Sequence, residues 1–223
     1  NLPEEISLDA KRGKLVHSIL EDLFELPRTE RNTATAISLL PKAWQRQLEA
    51  KPELATLVTD KKEWLDRAQS LLATYFTLED PTTFDSSFRE LHLEKTMNEE
   101  VYLHGYVDRL DIAPTGEVRI VDYKTGKSPK PGWEEKALFQ LRIYALLYWR
   151  NEGVLPRLLQ LLYLGDGKTV KSSPSERELE ATERILLNIG AEILTAIETN
   201  SFPTKKSRLC DWCSFKPICP AHQ

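Results

Sequence analysis

Two short runs, Leu103–Asp111 and Val118–Gly126, constrain the fold more than any other part of the chain. Both have strand composition, and Ala113-Pro114-Thr115-Gly116 between them supplies turn residues, so the spacing predicts an antiparallel hairpin. Centring the turn on Pro114-Thr115 brings Asp108 beside Val121 and Asp122. The second strand is apolar on both faces, which predicts a central position with cover on both sides. Strand side chains repeat every second residue, so Asp122 and Lys124 share a face, about 6.6 Å apart. Two carboxylates and an ammonium at the end of a buried strand are costly unless paired or bound. An Asp–Lys ion pair is the ordinary solution. A divalent cation held by Asp108 and Asp122, with Lys124 beside it, is the other.

The motifs around these residues resemble those of the PD-(D/E)xK nuclease superfamily, and within it the RecB-like branch. Gly105-Tyr106-Val107-Asp108-Arg109-Leu110-Asp111 matches a Gly-x-x-Asp-Arg-x-Asp strand, and Asp122-Tyr123-Lys124-Thr125-Gly126 matches the Asp-Tyr-Lys-Thr-Gly strand after it. The resemblance implies a restriction-endonuclease-like α/β core, a mixed sheet flanked by helices. It also implies hydrolysis of DNA phosphodiesters with Mg²⁺ or Mn²⁺, on DNA ends or single strands, often as an exonuclease in a helicase–nuclease assembly of repair and recombination.

Residues 8 to 26 carry Leu15, Val16, Ile19, Leu20, Leu23 and Phe24 at helical spacing. Spacing alone makes His17, beside that stripe, a packed core residue. Gly13-Lys14-Leu15-Val16-His17, however, is similar to the first RecB-family motif, whose histidine is a metal ligand. The resemblance thus implies a metal held by His17, Asp108, Asp122 and the carbonyl of Tyr123, with Lys124 acting on the attacking water or the transition state. Glu21, one turn on, would orient the imidazole. In the strand at 87 to 97, Glu94 is either a surface residue or the family's strand glutamate, aiding metal or water binding. Residues 133 to 150 read as a core helix, on which Gln140 and Tyr144 share a face. Family likeness assigns that pair to the DNA backbone or to support of the catalytic groups.

Residues 30 to 78 read as a helical insertion, with a capping box at Asp60 and Glu63 and a stripe from Trp64 to Phe76. A buried strand at Leu158–Leu164, a Gly165-Asp166-Gly167 turn and a helix from Ser173-Pro174 to about Thr199 follow. The order suits one nuclease domain over residues 1–223.

Cys210-x-x-Cys213-x5-Cys219 occupies a tail at 207–223. Iron–sulfur members of the family have three cysteines at such spacing and a fourth before the first motif, but no cysteine precedes His17 here. The resemblance implies a 4Fe–4S cluster in a longer parent chain. Cys210, Cys213, Cys219 and His222 alternatively form a workable zinc set. Charge is −4 and the hydrophobic share 41%, which describes a globular protein without a generally basic coat. No membrane span or export leader is evident, so a cytoplasmic setting is expected. Two further readings stand beside the nuclease: a catalytically silent DNA-end-binding or docking module, and a zinc-binding interaction domain.

Overall fold

A computed structural model describes residues 6–222. Residues 1–5 and 223, the extremities of the domain and tail expected from the sequence, lie outside the described residues. Helix α1 (Leu8–Glu25) starts at Ser7, whose hydroxyl accepts the Ala10 N–H at 3.2 Å. It buries the stripe expected from the spacing, Leu15 to Phe24. Four helices follow: α2 (Thr33–Ser38), α3 (Leu40–Ala50), α4 (Leu54–Leu57) and α5 (Lys61–Leu78). Asp60 caps α5 by accepting the Glu63 N–H at 2.8 Å.

The sheet runs β1 (Phe88–Thr96), β2 (Tyr102–Ile112), β3 (Val118–Lys124), β4 (Leu158–Tyr163) and β5 (Lys168–Ser172), in that spatial order. All pairs are antiparallel except β3–β4, where α6 (Glu134–Glu152) makes the crossover that a parallel pair requires. Helix α7 (Glu176–Glu198) packs on α6 and opens with a complete capping box of Ser175 and Glu178. This is a mixed five-stranded sheet flanked by helices, the restriction-endonuclease-like arrangement. The sequence pattern does not mark strand β5. Its five residues hold one aliphatic side chain, Val170, and an edge strand exposed in this way leaves no buried alternation to read. No described helix is long and apolar enough to cross a membrane.

Strand β3 divides two cores. Val121 and Tyr123 pack with α1 to α5 on one face, while Val118 and Ile120 pack with α6 on the other. Strands β1 and β2 change faces partway along. Arg109 lies on the α5 side against Tyr75, yet Val107, two residues earlier, packs among the α6 residues. Regular strands keep residues i and i+2 on one face, so both strands have turned over between these points. The turn falls at Glu90 and Asp108, which stand opposite each other between the pairs Arg89↔Arg109 and Leu91↔Val107. Glu90 there has φ of 45°, a left-handed conformation uncommon outside glycine.

Arg109 is fully buried. Its guanidinium donates to Glu79 at 3.0 Å, to the Tyr123 hydroxyl at 2.8 Å and to Asp111 at 3.2 Å, and the Phe24 and Phe84 rings lie 5.0 Å away. Arg119 joins the same carboxylates, 2.8 Å from Asp111 and 3.2 Å from Glu79. Two cations face two anions, which is how buried charge is tolerated. The network ties the end of α5 to the β2–β3 hairpin. Removing one partner strands the others, so Arg109→Ala is expected to lower unfolding stability by about 3–5 kcal/mol in urea melts.

Candidate active site

The site lies where β3 ends. The β2–β3 ladder stops at Arg109↔Val121, and at the next position Asp108 Oδ2 accepts the Tyr123 N–H at 2.7 Å. A side chain replaces the missing ladder partner, so β2 can leave β3 without orphaning a buried donor. The other oxygen of Asp108 lies 3.4 Å from Nδ1 of His17. Helix α1 brings that imidazole close because Gly13 faces Thr125, where a Cβ would lie 3.2 Å from Oγ1. The His17 ring also meets Tyr123 edge-on at 5.8 Å.

His17, Glu90 and Asp108 each place a ligand atom within 4.8 Å of the others. Asp122 stands beside this group, its Oδ2 2.7 Å from Nζ of Lys124, as the shared face requires. Lys124 donates to Gln140 Oε1 at 2.9 Å, and Gln140 Nε2 donates to the Tyr144 hydroxyl at 2.7 Å. Tyr144 rests on bare backbone: a Cβ at Gly105 would sit 2.6 Å from its Cε1. The structure thereby joins His17, Asp108, Asp122, Lys124, Gln140 and Tyr144. Side chains of His17 and Lys124 remain 27% and 33% exposed, so solvent reaches the cluster.

Two expected neighbours stand elsewhere. Glu94 accepts a hydrogen bond from the Tyr102 hydroxyl, two strand periods beyond Glu90 and outside the His17 group. Nδ1 of His17 faces Asp108, and among the described residues no hydrogen bond joins the ring to Glu21. The signal for Glu90 was the β1–β2 turn. Asn98 accepts from the N–H groups of Glu100 and Val101 at 3.1 and 2.7 Å, and a hairpin centred on Glu99 sets Glu90 opposite Asp108. Its distorted backbone carries no such signal.

Crowding sets the electrostatics. Burial, then the Asp108 charge, push the Asp122 carboxyl up to about 6, against the opposing pull of Lys124. Glu90 is raised by burial and next by Asp108. Burial disfavours the imidazolium of His17, but its hydrogen bond to Asp108 and the surrounding carboxylates outweigh that and raise its pKa. Asp122 Oδ2 is buried and makes no well-formed hydrogen bond despite the nearby ammonium. An imidazole and three crowded carboxylates fit a hard divalent cation.

The tail is different in kind. Cys210, Cys213 and Cys219 are free thiols on short 3-10 turns, and the Cys210 sulfur accepts the Ser207 N–H at 3.4 Å. Among the described residues the thiols and His222 do not gather into a metal-binding group.

A sequence model of the PD-(D/E)XK nuclease superfamily matches residues 1–220. The chain belongs to that superfamily. Among solved structures, one described as "Crystal structure of SSO0001" is similar at 19% identity, over 80% of each chain, with a TM-score of 0.45. No curated protein matches. Membership supports a phosphodiester-hydrolysing nuclease that acts on nucleic acid with divalent metal, and the His–Glu–Asp group is where this nuclease has donors for one.

Protons and metal compete for these donors. The rise in melting temperature on adding Mn²⁺ is expected to be full near pH 8 and to shrink as pH falls through about 6, where Asp122 takes up a proton and His17 already holds one. Thermal-shift curves across pH 5–8 check this, with Asp108→Asn as the variant that shows little rise at any pH.

Proposed function

We propose that this protein is a metal-dependent DNA nuclease of the RecB-like branch, working as an exonuclease on DNA ends or single strands. The observation that carries the proposal is the meeting of α1, β1 and β2 at His17, Glu90 and Asp108, beside the Asp122–Lys124 pair of β3. His17, Asp108, Asp122 and the Tyr123 carbonyl would hold Mg²⁺ or Mn²⁺, with Glu90 as a further ligand. When bound, the cation supplies an activated water and offsets charge on the scissile phosphate.

Lys124 orients the attacking water or stabilises the charge that builds on the phosphoryl oxygens. Gln140 fixes the ammonium by accepting from it, and Tyr144 in turn fixes Gln140. Tyr144 and Gln140 are positioning residues in this scheme, acting through Lys124. Were they to draw together on a metal, Cys210, Cys213 and Cys219 would hold the tail through a 4Fe–4S cluster completed by a ligand from elsewhere, or with His222 through zinc. Repair and recombination of DNA beside a helicase, as partner or fused, is the setting this reading carries.

Incubation of the protein with end-labelled single-stranded DNA and Mn²⁺ is expected to give nucleotide products. Asp122→Ala or Lys124→Ala should each cut the rate at least about a hundredfold while leaving the melting curve cooperative. Glu90→Gln should cost more activity than Glu94→Gln, and the reverse order would return the ligand role to Glu94. Iron and sulfide assays on the same preparation decide between cluster and zinc.

A further inference from the structure

The turnover of β1 and β2 at Glu90 and Asp108 has a second effect, on the outer half of their hairpin. Beyond that point Leu91, Leu93 and Val107 pack among the residues that meet α6. The alternate residues must therefore point the other way, and there they form a row of rings. Tyr106 stacks on His92 with centroids 4.7 Å apart and planes at 29°, and His92 meets His104 at 5.8 Å. His104 stacks on Tyr102 at 5.6 Å and 24°. Tyr102 and Tyr106 are 54% and 55% exposed. The row starts two residues from Asp108 on one strand and two from Glu90 on the other, so it leads directly out of the ligand group.

Its chemistry narrows the partner. Along these strands the rings share their face with Glu94 and Thr96, not with the aliphatic side chains that suit a protein groove. The lysine of this outer hairpin, Lys95, turns to the opposite face, where Nζ donates to the Arg150 carbonyl at 2.9 Å and to Asn151 at 3.3 Å. Phosphate pairing is therefore not what this strip offers. Flat π-faces and the Glu94 carboxylate are what it offers, and these suit nucleobases whose faces and edges are free. Bases in a duplex have their faces stacked on neighbours and their Watson–Crick edges paired.

We infer that the outer β1–β2 hairpin is a stacking track for the bases of single-stranded nucleic acid, leading the strand to or from the metal group. The inference deepens the nuclease reading above and rests on it for the strand's destination. Stacking, not counterion release, supplies the track's share of affinity, so that share is insensitive to salt.

The test measures binding and chemistry separately. Binding of a fluorescent oligothymidylate of about twelve nucleotides is read by anisotropy with Mn²⁺ in a Lys124→Ala background. Adding Tyr102→Ala and Tyr106→Ala is expected to weaken Kd about tenfold per ring, by the same factor at about 50 and about 200 mM salt. Tyr102→Phe with Tyr106→Phe, which keeps both rings, should bind as the parent does. Blunt duplex affinity should not change. An unaltered Kd in the alanine pair, an equal loss with the phenylalanine pair, or an equal loss for duplex would each overturn the track. Hydrolysis of bis(p-nitrophenyl) phosphate, too small to reach the rings, is measured with Lys124 intact and should be the same with and without the tyrosines. Ring-dependent binding without any hydrolysis by the unsubstituted protein would sink the nuclease reading and leave the track standing.

Discussion

A backbone N–H inside a sheet must find an acceptor, and at Tyr123 the acceptor is the carboxylate of Asp108. That one hydrogen bond lets β2 diverge from β3 while β3 continues beside β4 as far as Lys124. The divergence opens the space in which His17, Glu90 and Asp108 meet. It also leaves Asp108 with a single oxygen turned to the imidazole, so the carboxylate is oriented before any ligand arrives. Preorganisation of this kind is what a metal site needs from its surroundings.

Much of the core was legible because burial imposes periodicity. The stripe from Leu15 to Phe24 forms α1 as its spacing requires. The two-faced apolarity of β3 follows from Val121 and Tyr123 meeting one core while Val118 and Ile120 meet the other. Asp122 and Lys124 share a face because alternation is a local property of strands. What escaped is what depends on register or on breaks in it. Glu90 enters the ligand group through a left-handed backbone that no alternation rule contains. Strand β5 hides because its edge position relieves it of an apolar face.

Glycines do local work that the motif pattern shows without explaining. Gly13 allows α1 to approach Thr125, and Gly105 allows the Tyr144 ring to lie on β2. In both places the absent side chain sets the distance between an element and a functional group on its neighbour. The chain Lys124–Gln140–Tyr144–Gly105 thus connects an ammonium on β3 to the backbone of the neighbouring strand β2.

Glu79 caps the end of α5 and, among the described residues, is the acid that the helical segment lends to the two arginines of the hairpin. Without that segment, Arg109 and Arg119 would share Asp111 alone and the rings around them would open to water. The helices between residues 33 and 78 are therefore not an ornament that evolution could trim to reach a minimal enzyme. A chain that lost them would have to accommodate the Arg109 guanidinium with one carboxylate partner fewer.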